Sequence, residues 1–378
     1  MNPALIRREP VLNRQQAMTA SRLVVHANSS AEAAALLNDL QDVWPGTRSV
    51  FVGLAGCLPD KDLLAWQPPE NAMLEIPAAG LAAPATLELV AALAAGNVPL
   101  CLDGYTAGMA LPSEPPFRFL LADARSQPRL ANTPGVTLAK GLADLRAFTE
   151  AIANGYAGAA GWFFLHGRPL VDKLNPGHAQ IVRVLNLVRR NAEVKEIEVA
   201  LKQDVALSYK LLRYINSAGF GLSCEIESFR HAVAILGYDK LNKWLSLLLV
   251  TASHDPAAPA LMQTAIARGR FMEILGKDFF ERGMLDNLFI TGAFSLLGIL
   301  LGARIETVLE EMHLPEAITD ALLRREGVYA GLLDLALACE EEGSAVLAEK
   351  AALLGISTAK LNHAQIEALA FADTLQFT

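Results

Sequence analysis

The sequence predicts an α/β half followed by an all-α half. Three observations carry this expectation. Over the first 170 residues, short β-type runs alternate with helical runs. From Leu174 onward the strand signal vanishes, and apolar residues recur at helical spacing. Between the two lies the stretch 166–176, with one glycine and two prolines, which reads as a linker. The expected domains are residues 1–170 and 174–378.

In the first half the expected strands are 23–27, 49–54, 72–76, 98–102, 117–121, 136–139 and 157–164, each rich in Val, Leu, Ile or Phe. The expected helices are 31–43, 81–95 and 142–153. Parallel strands need helical crossovers, so this order fits a TIM-like barrel or an open doubly wound sheet. One crossover is thin. Between Leu121 and Val136 the chain carries Pro128, Pro134, Gly135 and few apolar residues, which argues against a helix there. The expectation is therefore a truncated barrel, incomplete on one side.

In the second half Ile181, Val184, Leu185 and Val188 mark one helical face. Val205, Leu207, Leu211, Leu212 and Ile215 mark another, with Asp204 as its N-cap. Ser228 is placed to cap a helix that Gly237 stops, and Asp239 to cap the next, while Pro256 and Pro259 break the chain. Further helices are expected at 261–276, 286–301, 305–312, 316–325, 331–342, 345–354 and 364–375. The greasy run 288–302 has 15 residues, fewer than the roughly 20 a bilayer span requires, and reads as a buried core helix.

Composition narrows the function classes. The chain has 378 residues, 52 % hydrophobic and 19 % charged, so it has apolar material for sizeable cores. Its formal net charge of −8, with no Lys/Arg cluster, argues against nucleic-acid binding. Cys57, Cys101, Cys224 and Cys339 form no CxxC pair and read as reduced thiols. Residues 1–11 carry two arginines and two prolines without an apolar run, unlike a signal peptide. The expectation is a cytoplasmic protein with no membrane insertion.

Residues 201–220 run from the acidic cap Asp204 through a leucine-rich helix to Asn216-Ser217-Ala218. Ile226-Glu-Ser228 and His231-Ala-Val-Ala-Ile-Leu-Gly237 follow. This pattern resembles the HDOD domain of bacterial signalling proteins, an all-helical bundle that looks like an HD-type phosphohydrolase without its metal ligands. Asp204, Asn216, Ser217 and Gly237 match the hallmark. Asn216 and Ser217 have a structural reading, closing a helix by side-chain hydrogen bonds, and a functional one, meeting a partner.

The first half then resembles a degenerate EAL domain, a family that hydrolyses cyclic di-GMP with metal ions held by carboxylates. Arg8-Glu-Pro-Val-Leu-Asn13 is similar to that family's opening, and Ala160-Gly-Trp-Phe-Phe164 to its close. Between them, Arg22 stands where the resemblance implies a metal-binding Glu, Gly53 an Asn, Gly104 a second Asp, Leu121 a Lys and Lys140 a Glu. Glu75, Asp103 and Asp123 survive. A fixed positive charge at Arg22 repels a dication, so the expectation is no metal, no cofactor and no enzyme.

The candidate ligand-binding residues are Arg22, Glu75, Asp103 and Asp123. Arg22 is placed either to pair a ligand phosphate or to neutralise one of these carboxylates in a salt bridge. The expected function is non-catalytic signal transduction: the HDOD domain contacts signalling proteins, and the EAL-like domain scaffolds or regulates it. The alternative is a sensor that binds cyclic di-GMP or another nucleotide without hydrolysis. A homo-oligomer is a further candidate assembly.

Overall fold

In a computed structural model, the chain is described over residues 4–111, 117–130, 133–168, 170–172, 176–202, 226, 228–250, 256–340 and 343–375. It divides into two units. One comprises 1–167 with 338–370, the other 168–337 with 371–378. The first boundary falls beside the expected linker, and the segment 338–370 groups with the first unit.

Eight strands form the first unit: β1 (Leu5–Asn13), β2 (Met18–His26), β3 (Ser49–Ala55), β4 (Ala72–Pro77), β5 (Leu100–Asp103), β6 (Phe117–Asp123), β7 (Val136–Lys140) and β8 (Gly158–Ala160). They close into a barrel in sequence order. Junctions β2 through β8 are parallel, whereas β1 runs antiparallel to both β2 and β8. The expected truncated TIM-like barrel is thereby corrected to a closed barrel of mixed topology. One strand, β1, was not expected. Arg7, Arg8 and Pro10 interrupt its apolar pattern, yet it pairs with β2 from Leu5 to Leu12 and with β8 from Val11 to Asn13.

Helices α1 (Ser30–Asp39), α2 (Pro84–Ala95) and α3 (Leu145–Ala153) serve as crossovers. Ser29 caps α1 by accepting from Glu32 N, and Asp144 caps α3 by accepting from Ala147 N. Between β6 and β7 no helix forms among the described residues, as Pro128 and Pro134 require. The sheet stays closed there because Leu121 to Asp123 pair directly with Leu138 to Lys140.

Because β8 is only three residues long, the outer edge of β1 extends past its last strand partner. Helix side chains cover it. Ile6 N donates to Asn362 Oδ1 at 2.9 Å, Asn362 Nδ2 donates to Ala4 O at 2.9 Å, and Gln365 Nε2 donates to Ile6 O at 3.1 Å. Both amides are buried at 1 % exposure, so they occupy the place a neighbouring strand's backbone would take.

The second unit is helical. After α4 (Pro176–Arg189) and α5 (Val194–Lys202) come α6 (Phe229–Val250), α7 (Ala258–Gly276), α8 (Arg282–Phe294), α9 (Leu297–Leu301), α10 (Ile305–Glu310) and α11 (Glu316–Leu323). Beyond these lie α12 (Ala330–Ala338) and, in the segment that groups with the first unit, α13 (Ser344–Leu353) and most of α14 (Thr358–Thr374). The α4 face read from the sequence is buried at Ile181, Val184, Leu185 and Val188.

Ser228 starts α6 as expected, its Oγ accepting from His231 N at 3.1 Å. Gly237 interrupts α6 with φ +73°, a conformation few other residues adopt cheaply. Pro259 sits in the first turn of α7, where its missing N–H costs nothing. The run 288–302 is buried but divided between α8 and α9, and Gly302 ends α9 at φ +64°. No helix among the described residues is long and apolar enough to cross a membrane.

Candidate functional site

The barrel interior explains how a charged cluster is positioned. One residue from each strand fills a common layer: Val11, Ala20, Phe51, Met73, Cys101, Leu121, Leu138 and Ala160. Side chains on a strand return to the same face every second residue. Two positions further along each parallel strand from β2 to β7 stand Arg22, Gly53, Glu75, Asp103, Asp123 and Lys140. On antiparallel β1 the step runs backward, from Val11 to Glu9. The next layer is therefore charged, at the carboxyl ends of the parallel strands, where barrels of this kind build their sites.

Arg22 is the centre of that layer. Its Nε donates to Glu75 Oε1 at 2.7 Å and its Nη2 to Glu75 Oε2 at 2.8 Å. Its Nη1 donates to Glu9 Oε2 at 2.9 Å, from the residue directly across the β1–β2 ladder. Asp103 Oδ2 lies 3.5 Å from Nη2, and Asp103 Oδ1 accepts from Lys140 Nζ. Three carboxylates thus meet two cations. Gly53 leaves the room this needs, because a Cβ there would fall 2.4 Å from Glu75 Oε2.

Burial opposes the Arg22 charge. The carboxylates of Glu75, Glu9 and Asp103 more than offset it and hold the guanidinium pKa well above the ordinary value. Burial pushes the Glu75 carboxyl up, while the charge and hydrogen bonds of Arg22 pull it down. Burial, with Glu75 and Asp103 beyond it, pushes the Cys101 thiol far up, so the thiol stays protonated. Cys57, Cys101 and Cys339 are all free thiols, and Cys224 lies outside the described residues.

The structure joins Arg22, Glu75 and Asp103 and leaves Asp123 apart. Asp123 pairs with Arg125 instead, at 2.7 Å between Oδ2 and Nη2, and also accepts from Arg125 N at 2.9 Å. The hydrogen bond from Arg125 draws its carboxyl below the usual value. Glu9 and Lys140 belong to the cluster and were not candidates. Reading β1 as a strand would have revealed Glu9, which faces the same way as Val11.

This donor set does not fit a divalent cation. Both oxygens of Glu75 are taken by Arg22, and Asp103 is held between Arg22 and Lys140. Among the described residues no group of three or more His, Cys, Asp or Glu side chains could hold a metal ion. In the helical unit, Asp204, Asn216 and Ser217 lie outside the described residues, and Gly237 is the break in α6.

With this geometry in hand, the relatives can be placed. Residues 176–321 match the family model of the HDOD domain. The chain is 31 % identical over 192 residues, 50 % of its length, to the Vibrio cholerae protein named Cyclic di-GMP phosphodiesterase CdgJ, covering 44 % of that relative. It is 25 % identical over 206 residues to the uncharacterized protein YuxH of Bacillus subtilis, covering 53 % of this chain and 50 % of that one. The chain thus spans about half the length of the curated relatives it matches.

Among solved structures, an HDOD domain protein with unknown function from Geobacter sulfurreducens overlaps at a TM-score of 0.34 and 15 % identity, over 52 % of this chain and 84 % of that chain. The family match places an HDOD domain at residues 176–321, and this fits a signalling role. One expectation is corrected. The reading "no enzyme" rested on lost metal ligands, and it is overturned by the relative named a phosphodiesterase.

Proposed function

We propose that this chain is a signal-transduction protein of the cyclic di-GMP system. Its HDOD domain acts through contacts with other signalling proteins, and its barrel scaffolds or regulates that domain. The observation that carries this reading is the HDOD match over 176–321, in a chain related to a protein named for cyclic di-GMP turnover. Among the described residues of that stretch, the large apolar side chains of Val199, Ile235 and Phe279 are each about half exposed. The same proposal places the protein in the cytoplasm, where free thiols persist.

The second reading, binding of cyclic di-GMP or another nucleotide at the barrel mouth, draws on the name of the relative. The charge layout works against it. Every nitrogen of Arg22 already meets a carboxylate, so a phosphate would have to displace Glu75 or Glu9 from a layer with more carboxylates than cations. Calorimetric titration of the full chain with cyclic di-GMP separates the two. No heat at about 100 µM ligand supports action through protein contacts, and stoichiometric heat replaces that reading with the sensor.

A further inference from the structure

The last residue of α4, Arg189, carries a charge that no carboxylate among the described residues answers. Its Nε donates to Asn242 Oδ1 on α6 at 2.9 Å, and its guanidinium carbon lies 5.8 Å from the centre of the Phe294 ring on α8. Both terminal nitrogens, Nη1 and Nη2, are shielded from solvent and donate to no acceptor. Among the described residues no carboxylate supports the charge, and burial lowers the pKa to about 9. Two other buried cations behave differently. Arg22 meets three carboxylates, and Lys243 meets Glu273 at 2.6 Å and Asp286 at 3.1 Å.

Leaving a guanidinium buried and unpaired is costly. The carbonyl end of α4 contributes only a partial negative charge, about half a unit at most. What the side chain lacks is specific. Asn242 fixes Nε and the Phe294 face lies beside the guanidinium, so the two free amino groups stand side by side as a fork for two acceptor oxygens.

We propose that Arg189 is the recognition residue of an oxyanion site in the HDOD unit, which takes the phosphate or carboxylate group of a small molecule. The anion accepts two parallel hydrogen bonds from Nη1 and Nη2 and supplies the missing counter-charge. Asn242 and Phe294 are positioning residues that hold the fork. Arg189, Asn242 and Phe294 all belong to the helical unit.

The test is thermal unfolding of the full chain at constant ionic strength, with inorganic phosphate or malonate against chloride. The wild type is expected to gain stability with increasing concentration of one of the two anions, and the stronger of them identifies the group. In Arg189→Met this gain is lost, and Arg189→Lys, which keeps the charge without the fork, binds at least tenfold more weakly. A second readout excludes a merely structural role. Without added anion, Arg189→Met unfolds at or above the wild-type midpoint, because an unanswered buried charge has been removed. Equal anion shifts in wild type and Arg189→Met overturn the proposal. So does the absence of any phosphate- or malonate-specific shift in the wild type, or a lower midpoint for Arg189→Met without anion.

Discussion

Arg22 on β2 donates to both carboxylate oxygens of Glu75 on β4, across the barrel interior and past the empty side-chain position at Gly53 on the strand between. Glu75 is 1 % exposed, so its charge rests on this pair. Replacing Arg22 with Met leaves a buried carboxylate without its partner. The expected loss is about 3–5 kcal/mol in urea unfolding. The double variant R22M/E75L, which removes both charges, recovers most of it. A loss below about 1 kcal/mol in R22M would show that the pair does not hold the barrel mouth together.

Gly53 is required for the same pair. A Cβ at this position would fall 2.4 Å from Glu75 Oε2 and 3.2 Å from Glu75 Cδ. Because Arg22 anchors that carboxylate, Gly53→Ala is expected to cost about 1–3 kcal/mol by overpacking. Chemical denaturation measures it, and a neutral result in G53A would mean that the Arg22–Glu75 fork moves freely.

The C-terminal amides make a second, independent prediction. Asn362→Ala removes two hydrogen bonds and leaves Ile6 N and Ala4 O of β1 buried without that partner. The expected cost is about 1–3 kcal/mol per orphaned group. Hydrogen exchange should rise first in residues 4–8, while the β2–β3 ladder keeps its protection. Uniform exchange across the barrel would contradict the local role.

Histidine 26 predicts the pH dependence. Burial, assisted by the nearby Arg7 charge, holds its pKa below the usual 6.5, and its Nε2 has no hydrogen-bond partner. Above pH 6.5 both folded and unfolded states are neutral at this position. As the pH falls through 6.5 the unfolded chain binds the proton first, so stability declines until the folded pKa is passed. Melting temperatures between pH 7.5 and 5 should fall for the wild type and flatten in His26→Gln. Parallel curves would remove His26 as the cause.

How much of this was legible in the sequence depends on local chemistry. Strands β2 to β8 announce themselves through runs such as 49–54 and 72–76, whose apolar residues fill the barrel wall. β1 does not, because it carries the buried arginines Arg7 and Arg8, and Arg8 meets a partner far along the chain, Glu340 at 3.7 Å. The omission of β1 hid Glu9, the cross-strand partner of Arg22. The barrel was expected to be open for another reason, the thin crossover after Leu121, yet β6 and β7 pair directly there.

The salt-bridge reading of Arg22 was accessible, since a cation among surviving carboxylates must answer one of them. Which one was not accessible, because Asp123 is satisfied by Arg125 two residues away. In the helical unit, the break between α8 and α9 has no proline to mark it. The glycines of that run serve close packing instead: a Cβ on Gly292 would fall 2.7 Å from the backbone of Gly269.

The claim that function resides in contacts of the helical unit is tested most directly by photo-crosslinking in the native cell. A photoreactive residue is placed at Val199, Ile235 or Phe279 of the helical unit, or at Leu58, Leu64 or Leu87, which are comparably exposed on the barrel unit. The expected result is covalent capture of signalling proteins from at least one helical-unit position and none from the barrel positions. Capture only from Leu58, Leu64 or Leu87, or from no position at all, would contradict the account.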